Sequence, residues 1–340
     1  MRTAVVSGLI AAIVGLILLF TGDDPLGPSA AIVIGIGSGA AYGLIAVGIV
    51  IVYKGARVFN FAQGEFGTLG AFITFVMLEQ VNSIFGFEVD LPYGAAIAIA
   101  IVGTIIIGLV MERIIVRPLL NAPKVNTLVA TIAFTLLAIG IELLLFRPEP
   151  KTLQPLIQTV DKKGNPVGPE LFNYFLEPQR IIIIGVLLLM ALGLGLFFSR
   201  TNLGLAVLAT SQDALATRVV GIGVERMSRF IWGSAAFFGA VAGILYAPLS
   251  SLEPGSITRN MLIPAFAAAV IGGMTSLPGA FVGGIVVGVI GGLAQWAADS
   301  FYLGLQPWSS VVPGATYIAL VVVLLVVLLA RPQGLLGTET

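Results

Sequence analysis

Two carboxylates stand within otherwise apolar stretches of the chain, and they are the side chains best placed to do chemistry. Glu65 follows the polar run Asn60–Gly64, and Glu142 lies far away in sequence, close to the outer boundary of its apolar stretch at Arg147. An ionisable group at membrane depth marks a pathway, a gate or an ion site. A carboxylate at Glu65 also suits the positive N-terminal end of a helix that resumes at Phe66. The sequence leaves both roles of Glu65 open.

The chain lacks the residues on which most enzyme chemistry depends. No Cys and no His occur, so disulfides, thiolate chemistry and the commonest general base and metal ligand are missing. No Gly-Lys pair exists, so the chain lacks the usual loop that cradles a triphosphate. The net charge of 0 gives no bulk electrostatic argument for nucleic-acid binding. We therefore expect a protein that is not an enzyme and that binds neither cofactor nor metal.

The composition is that of an integral membrane protein. Hydrophobic residues make up 58% of the 340 residues and charged residues 10%, whereas soluble proteins carry about 25% charged residues. The 42 glycines suit helices that pack closely in lipid. The sequence predicts an all-α, polytopic transmembrane bundle of about 8–10 segments in a single domain over residues 1–340. The apolar segments lie at about 3–20, 30–53, 59–78, 93–111, 125–146, 181–198, 230–247, 262–274, 277–297 and 313–330.

The charge pattern indicates an orientation for these segments. The first segment lacks a strong charged n-region and an A-x-A cleavage site, so it is interpreted as a retained span. With a cytoplasmic N-terminus and ten alternating segments, eleven of the 17 basic residues face the cytoplasm. Cytoplasmic loops are enriched in Lys and Arg. Both termini are therefore predicted to be cytoplasmic, and the Pro-rich loop 147–180 to be extracytoplasmic.

Two apolar segments are interrupted by polar or Gly-rich sequence, at Asn60–Glu65 and after the short run Pro264–Met274. Backbone opened at membrane depth needs protein or water around it. We therefore expect broken or half helices that face each other near the midplane and line a pathway. The alternative is two loops that dip into the headgroup region, and the neighbouring Gly pairs are expected to serve close helix packing. The predicted pathway residues are Asn60, Gln63, Gly64, Glu65, Thr68, Gly272, Gly273 and Thr275.

One long polar stretch, Thr201–Arg229, separates two apolar segments. Its first part is rich in Ala and has helical spacing, and Gly221 and Gly223 break that helix. Together with Arg200 the stretch carries a net charge of two units positive. A basic helix–Gly–helix element between two spans is typical of a cytoplasmic docking element. The alternative is an ordinary cytoplasmic loop that is helical only because it is rich in Ala.

Several motifs together resemble one family. They are Gly39–Gly48, Asn60–Glu65 with Leu69–Ala71 after it, Glu112-Arg113 with Arg117–Leu119, Ala265–Gly273 with Leu277–Ala280, and the terminal Arg331–Gly337. In these residues the chain resembles the permease subunits of branched-chain amino acid ABC transporters, the shorter (H-type) member of the pair. The motifs cover most of residues 35–337. The family usually has His where Gln63 stands and a charged Arg-Ala-x-Ala-Glu-Asp run where this chain has Leu208–Asp213.

The resemblance implies half of a translocation pathway for branched-chain amino acids in a bacterial inner membrane. It implies as partners membrane lipid, a second permease subunit in a heterodimer or homodimer, two ATPase subunits that carry ATP and Mg²⁺, and an extracytoplasmic substrate-binding protein. Segment 199–229 corresponds to the family's cytoplasmic coupling loop. The alternatives are a permease of the same family for urea, short amides or another small solute, and an ion-coupled transporter or channel. The expected coupling residues are Asp213, Ala214, Ala216, Arg218, Gly221 and Gly223.

Overall fold

The computed structural model describes residues 27–80, 91–157, 168–171, 174–212, 223–300, 302–303, 306–307, 314–331 and 333–336. The apolar segment 3–20 lies outside these residues. The described helices are α1 (Pro28–Ala56), α2 (Gln63–Phe75), α3 (Tyr93–Met111), α4 (Lys124–Phe146), α5 (Pro178–Arg200), α6 (Asn202–Gln212), α7 (Val224–Tyr246), α8 (Ser256–Gly272), α9 (Leu277–Ser300) and α10 (Ala315–Ala330).

Short irregular turns extend three of these helices. α2 continues through a π-helical turn over Val76–Gln80, and α3 through turns over Glu112–Val116 and Arg117–Leu119. A 3-10 turn over Ala247–Leu249 follows α7. Two antiparallel strand pairs lie in the connections, and each strand has only two residues: β1 (Glu170–Leu171) with β2 (Tyr174–Phe175), and β3 (Tyr302–Leu303) with β4 (Gln306–Pro307).

The described helices confirm the predicted all-α, polytopic bundle. Six of them are long and apolar enough to cross a membrane, namely α1, α3, α4, α5, α7 and α9, with α3 and α7 counted together with their terminal turns. α8 and α10 are shorter apolar helices. The segments predicted from hydropathy therefore match the observed helices over most of the described chain.

Side-chain contacts bring four helix termini together at one end of the bundle. The Lys54 ammonium in the last turn of α1 lies 5.8 Å from the centroid of the Phe198 ring in α5. Arg117, just after α3, forms an ion pair with Glu225 in the first turn of α7. We call this end the basic end. The C-terminal ends of α2, α4 and α7 lie together at the opposite end, where Phe72, Phe146 and Ala247 share one apolar cluster.

Glycine allows α1 and α9 to approach at backbone distance. Gly35 and Gly39 of α1 face Gly284 and Gly288 of α9, and the two helices run antiparallel. A Cβ on Gly39 would lie 2.6 Å from the carbonyl oxygen of Gly284 and 3.1 Å from the Cα of Gly288. Small residues of this kind let transmembrane helices pack by close van der Waals contact. The packing role expected for the Gly pairs of this region is confirmed.

α4 buries its polar face and exposes its apolar one. Its buried residues are Thr127, Thr131, Thr135, Ala138 and Glu142, which recur every three or four positions. Most of the large aliphatic side chains on the rest of the helix are exposed. A helix that turns polar groups inward and Leu outward suits contact with lipid, because polar side chains in membranes face the bundle interior.

α8 is a longer helix than the sequence predicts. The run Pro264–Met274 predicts a half-length helix, but α8 begins at Ser256 and its 17 residues extend for about 26 Å. Pro264 lies inside it. The polar first turn is tolerated because its side chains find partners within the protein, as the Thr258 hydroxyl does in donating a hydrogen bond to Glu65.

Candidate functional site

α2 begins inside the bundle. α1 ends at the basic end, where Arg57 has the left-handed φ of 54°, and the chain then turns back. At the start of α2 the side chain of Gln63 packs against Gly48, where a Cβ would overlap it. Gly48 lies about two turns before the end of α1. The break predicted at Asn60–Glu65 is therefore confirmed as a helix that starts at depth.

Asn60 and Gln63 hold the start of α2 in place, and both side chains are completely buried. Asn60 Oδ1 accepts a hydrogen bond from the Ala62 backbone N–H at 3.0 Å. Asn60 Nδ2 donates to Gln63 Oε1 at 3.1 Å, and Gln63 Nε2 donates to the Ala235 carbonyl of α7 at 2.9 Å. These amides thus satisfy each other and tie α2 to α7.

Glu65 lies fully buried where α2 meets α8. The Thr258 hydroxyl donates a hydrogen bond to Glu65 Oε2 at 2.7 Å. Gly64 provides the room for this approach, because a Cβ there would lie 2.6 Å from the Cα of Thr258. One turn further along α2, Thr68 is also buried, with its hydroxyl 3.5 Å from the Gly64 carbonyl.

Glu142 joins Glu65 in the same cluster, although nothing in the sequence indicated that the two acids meet. Glu142 Oε2 accepts a hydrogen bond from the Gly255 N–H at 2.9 Å, and its carboxyl is a close neighbour of that of Glu65. The Oε1 atoms of both acids are buried without a hydrogen-bond partner among the described residues. Gly255 has a φ of 67°, which glycine adopts at little cost. Ionised carboxylates only accept hydrogen bonds. The two free oxygens could therefore pair with each other only if one carboxyl carried a proton.

Glu142 is 1% exposed and lies about one turn before the end of α4 at Phe146, so it is buried in the protein close to Arg147. The signal that would have placed it is the buried stripe of α4, in which hydroxyl residues recur with helical spacing and Glu142 continues the series. We call Asn60, Gln63, Glu65, Thr68, Glu142 and Thr258 the polar cluster.

Gly272, Gly273 and Thr275 do not belong to the polar cluster. Thr258 and Gly272 lie about 21 Å apart along α8, so the second break sits at the opposite terminus of that helix. Gly273, with a φ of 106°, ends α8, and Gly272 packs directly against Gly279 of α9. The prediction that the two breaks face each other is wrong, because α8 is a continuous helix and separates them. Thr275 instead lines a cleft at the basic end.

The described part of the terminal motif after α10 caps α8. The backbone N–H groups of Leu335 and Leu336 donate hydrogen bonds to the carbonyls of Ile271 and Gly272, at 2.7 and 3.1 Å. The last carbonyls of a helix have no partner within the helix. The motif therefore satisfies them and fixes the chain after α10 against the basic end.

The structure describes both ends of segment 199–229, the predicted coupling loop, which we call the coupling stretch. α6 confirms the helix predicted after Thr201, whose hydroxyl accepts a hydrogen bond from the Gly204 N–H at 3.0 Å. Gly223 immediately precedes α7. The other expected coupling residues lie outside the described residues: Asp213, Ala214, Ala216, Arg218 and Gly221.

Two polar contacts, which the sequence did not predict, tie the start of α7 to the end of α3. The Ser228 hydroxyl donates a hydrogen bond to Glu112 Oε1 at 2.7 Å, and Glu112 is fully buried. Arg117 pairs with Glu225 nearby. The only available signal was the run Glu112–Arg117, which carries an acid and two bases directly after an apolar segment.

Comparison with known proteins assigns this architecture to a family. Residues 31–328 match the family model described as a branched-chain amino acid transport system permease component. The chain is 31% identical over 305 residues to the high-affinity branched-chain amino acid transport system permease protein BraD of Pseudomonas aeruginosa, covering 89% of this chain and 94% of that protein.

Two further relatives show the range of the similarity. The high-affinity branched-chain amino acid transport system permease protein LivH of Escherichia coli is 28% identical over 319 residues, covering 89% of this chain and 93% of LivH. The ribose import permease protein RbsC of Escherichia coli is 26% identical over 274 residues, covering 76% of each chain. No solved structure matches the chain. The family match and the membrane-spanning helices lead to one conclusion: the chain is a multi-pass membrane protein that belongs to the branched-chain amino acid transport permease family.

Proposed function

We propose that the chain is one permease subunit of an ABC importer for branched-chain amino acids in a bacterial inner membrane. The observation that carries the proposal is the family match over residues 31–328, in a chain whose helices span a membrane. In this proposal a second permease completes the pathway, two ATPase subunits supply the energy, and a substrate-binding protein delivers the solute from outside. Both termini and the basic end face the cytoplasm.

The ties at the basic end support a route by which ATPase motion reaches the interior. α7 begins within the coupling segment 199–229, and Glu225 and Ser228 fasten its first turns to the end of α3. About two turns further along α7, the Ala235 carbonyl accepts the hydrogen bond from Gln63. A displacement of the coupling stretch would therefore move α7 and, through Gln63, the start of α2.

The polar cluster is proposed as the element that responds to this motion. Glu65 is fully buried, accepts a hydrogen bond from Thr258 and neighbours the carboxyl of Glu142, so it is placed to hold helices together and not to receive a substrate ammonium. We place it as part of a gate, in which the cluster holds α2, α4 and α8 together in the state described here. Alternating access then requires these contacts to rearrange.

Uptake measurements test the proposal and its substrate. The assembled complex would be reconstituted into vesicles with its binding protein and ATP, and given radiolabelled leucine. We expect saturable uptake that unlabelled isoleucine and valine reduce and that ribose and urea leave unchanged. The similarity to the ribose permease makes a sugar the second candidate. Uptake of ribose in place of leucine would favour that candidate.

A further inference from the structure

A cleft at the basic end has the layout of a phospholipid site. Its volume is about 390 Å³, within the range of small-molecule pockets. It lies between the last turn of α1, the second half of α5 and the turn that joins α8 to α9. Leu336 of the terminal motif closes one side.

The polar groups of the cleft cluster at its mouth. Lys54 and Ser199 belong to the last turns of α1 and α5, and Thr275 and Ser276 belong to the turn before α9. The lining contains one ammonium, three hydroxyls and no acidic side chain among the described residues. The Ser199 hydroxyl already donates to the Leu196 carbonyl at 3.3 Å, so an anion would find the positive charge of Lys54 and the hydroxyls of Thr275 and Ser276 at this position.

The cation at the mouth of the cleft is the Lys54 ammonium. No carboxylate among the described residues forms an ion pair with it. The described ion pairs are those of Arg117, Arg180 and Arg259, and none includes Lys54. Its ammonium instead lies beside the ring of Phe198, which itself lines the cleft. A half-buried ammonium without a carboxylate favours an anionic ligand.

The deeper part of the cleft is apolar. Ala191, Leu194, Gly195 and Phe198 recur along one face of α5 at the spacing of a helical stripe, over about 10 Å. Phe281 of α9 forms the facing wall. The outer face of α5 exposes large aliphatic side chains, as a lipid-facing helix does.

We propose that this cleft binds an anionic phospholipid of the leaflet at the basic end. The phosphate lies at Lys54 and the hydroxyls of Thr275 and Ser276, and an acyl chain follows the apolar stripe of α5. Basic pockets between transmembrane helices recognise anionic headgroups in this way. The occupant is a lipid and not free phosphate, because the apolar stripe continues directly from the polar mouth.

The cleft offers two independent variants. Lys54→Gln removes the charge, and Lys124→Gln at the exposed start of α4 is its matched control. Gly195→Leu fills the apolar part without a clash, because a Cβ there meets no atom within 4 Å. Gly193→Leu is the control on the same helix: its Cβ also meets nothing, and Gly193 does not line the cleft.

Native mass spectrometry of the purified full chain in neutral detergent would count bound lipid during titration with phosphatidylglycerol or phosphatidylcholine. We expect one phosphatidylglycerol to bind in preference to phosphatidylcholine. Lys54→Gln should weaken it about fivefold, the loss expected for one lysine near a lipid phosphate. Gly195→Leu should abolish it, and both controls should bind as the unaltered chain does. Melting temperatures in phosphatidylcholine alone check that each variant is folded.

Four results would overturn the proposal. The first is equal retention of phosphatidylglycerol and phosphatidylcholine, which would show adventitious lipid. The second is unchanged affinity in both Lys54→Gln and Gly195→Leu. The third is loss of bound phosphatidylglycerol when inorganic phosphate is added at the same concentration, which would identify a site for a free anion. Displacement of the lipid when the complete transporter assembles would also contradict it, because the cleft would then belong to a subunit interface.

Discussion

The carboxyl groups of Glu65 and Glu142 meet at the N-terminal end of α8, although distant parts of the chain supply them. Thr258 and the Gly255 backbone N–H each bind one of the two acids. Three helices therefore converge on one buried contact. Because the two acids are neighbours and each is held by a hydrogen bond from the start of α8, the contact is expected to act as a unit.

Two replacements of Glu65 distinguish the effect of its charge on stability from the effect of its hydrogen bonds. Glu65→Gln keeps an acceptor for Thr258 and a polar partner for Glu142, so the free energy of unfolding should fall by less than about 1 kcal/mol. Glu65→Ala leaves buried groups unpaired, at about 1–3 kcal/mol for each group. Thermal denaturation of the two variants checks this difference, with the exposed Glu149→Gln as control. Equal destabilisation by Gln and Ala would contradict a structural role for the hydrogen bonds of Glu65.

The α1–α9 contact should not tolerate even one methyl group. A Cβ on Gly288 would overlap the backbone of Gly35 and Gly39. We expect Gly288→Ala to destabilise the chain by about 1–3 kcal/mol, the usual cost of overpacking. Gly185→Ala in α5 is the matched control, since its Cβ meets nothing within 4 Å. Equal melting temperatures for the two variants would contradict the close packing of α1 against α9.

The Arg117–Glu225 ion pair offers a test of coupling that barely disturbs stability. Both side chains are partly exposed, so the pair should contribute little to the free energy of unfolding. In the assembled transporter, Arg117→Glu or Glu225→Arg should place like charges together and lower the solute transported per ATP hydrolysed. The double variant should restore it. Single variants that transport normally, or a double variant as impaired as the singles, would rule out this tie as a coupling element.

The proposed orientation is testable because the chain contains no Cys. Glu149 at the opposite end and Asn202 at the basic end are both exposed. A membrane-impermeant maleimide added to intact spheroplasts should label Glu149→Cys, and it should label Asn202→Cys only after lysis. The reverse pattern would invert the whole arrangement, including the cytoplasmic position of the coupling stretch.

Hydropathy predicted the helices well, because a continuous apolar run and its flanking charges are local properties of the chain. It also predicted the break before α2, since Asn60–Glu65 is visibly polar. It failed for α8, whose polar first turn reads as a loop until Glu65 supplies its partner. A hydropathy window cannot register a partner that comes from a distant helix.

The composition of the candidate site was only partly predictable. Asn60, Gln63, Gly64, Glu65 and Thr68 do lie together, because one helix start carries them all. The meeting with Glu142 depends on how α4 rotates its polar stripe inward, which is a property of packing and not of sequence order. For the same reason Gly272 and Gly273 were assigned to the wrong place, since a Gly-rich break at a helix terminus resembles one at membrane depth.

The energy source of transport tests the central claim most directly. The complete transporter would be reconstituted into vesicles, and uptake of labelled leucine compared between ATP on the ATPase side, a proton or sodium gradient alone, and ATP with a hydrolysis-deficient partner ATPase. The proposed function predicts uptake only with ATP and a competent ATPase. Uptake driven by an ion gradient in the absence of ATP would contradict it and would identify an ion-coupled transporter.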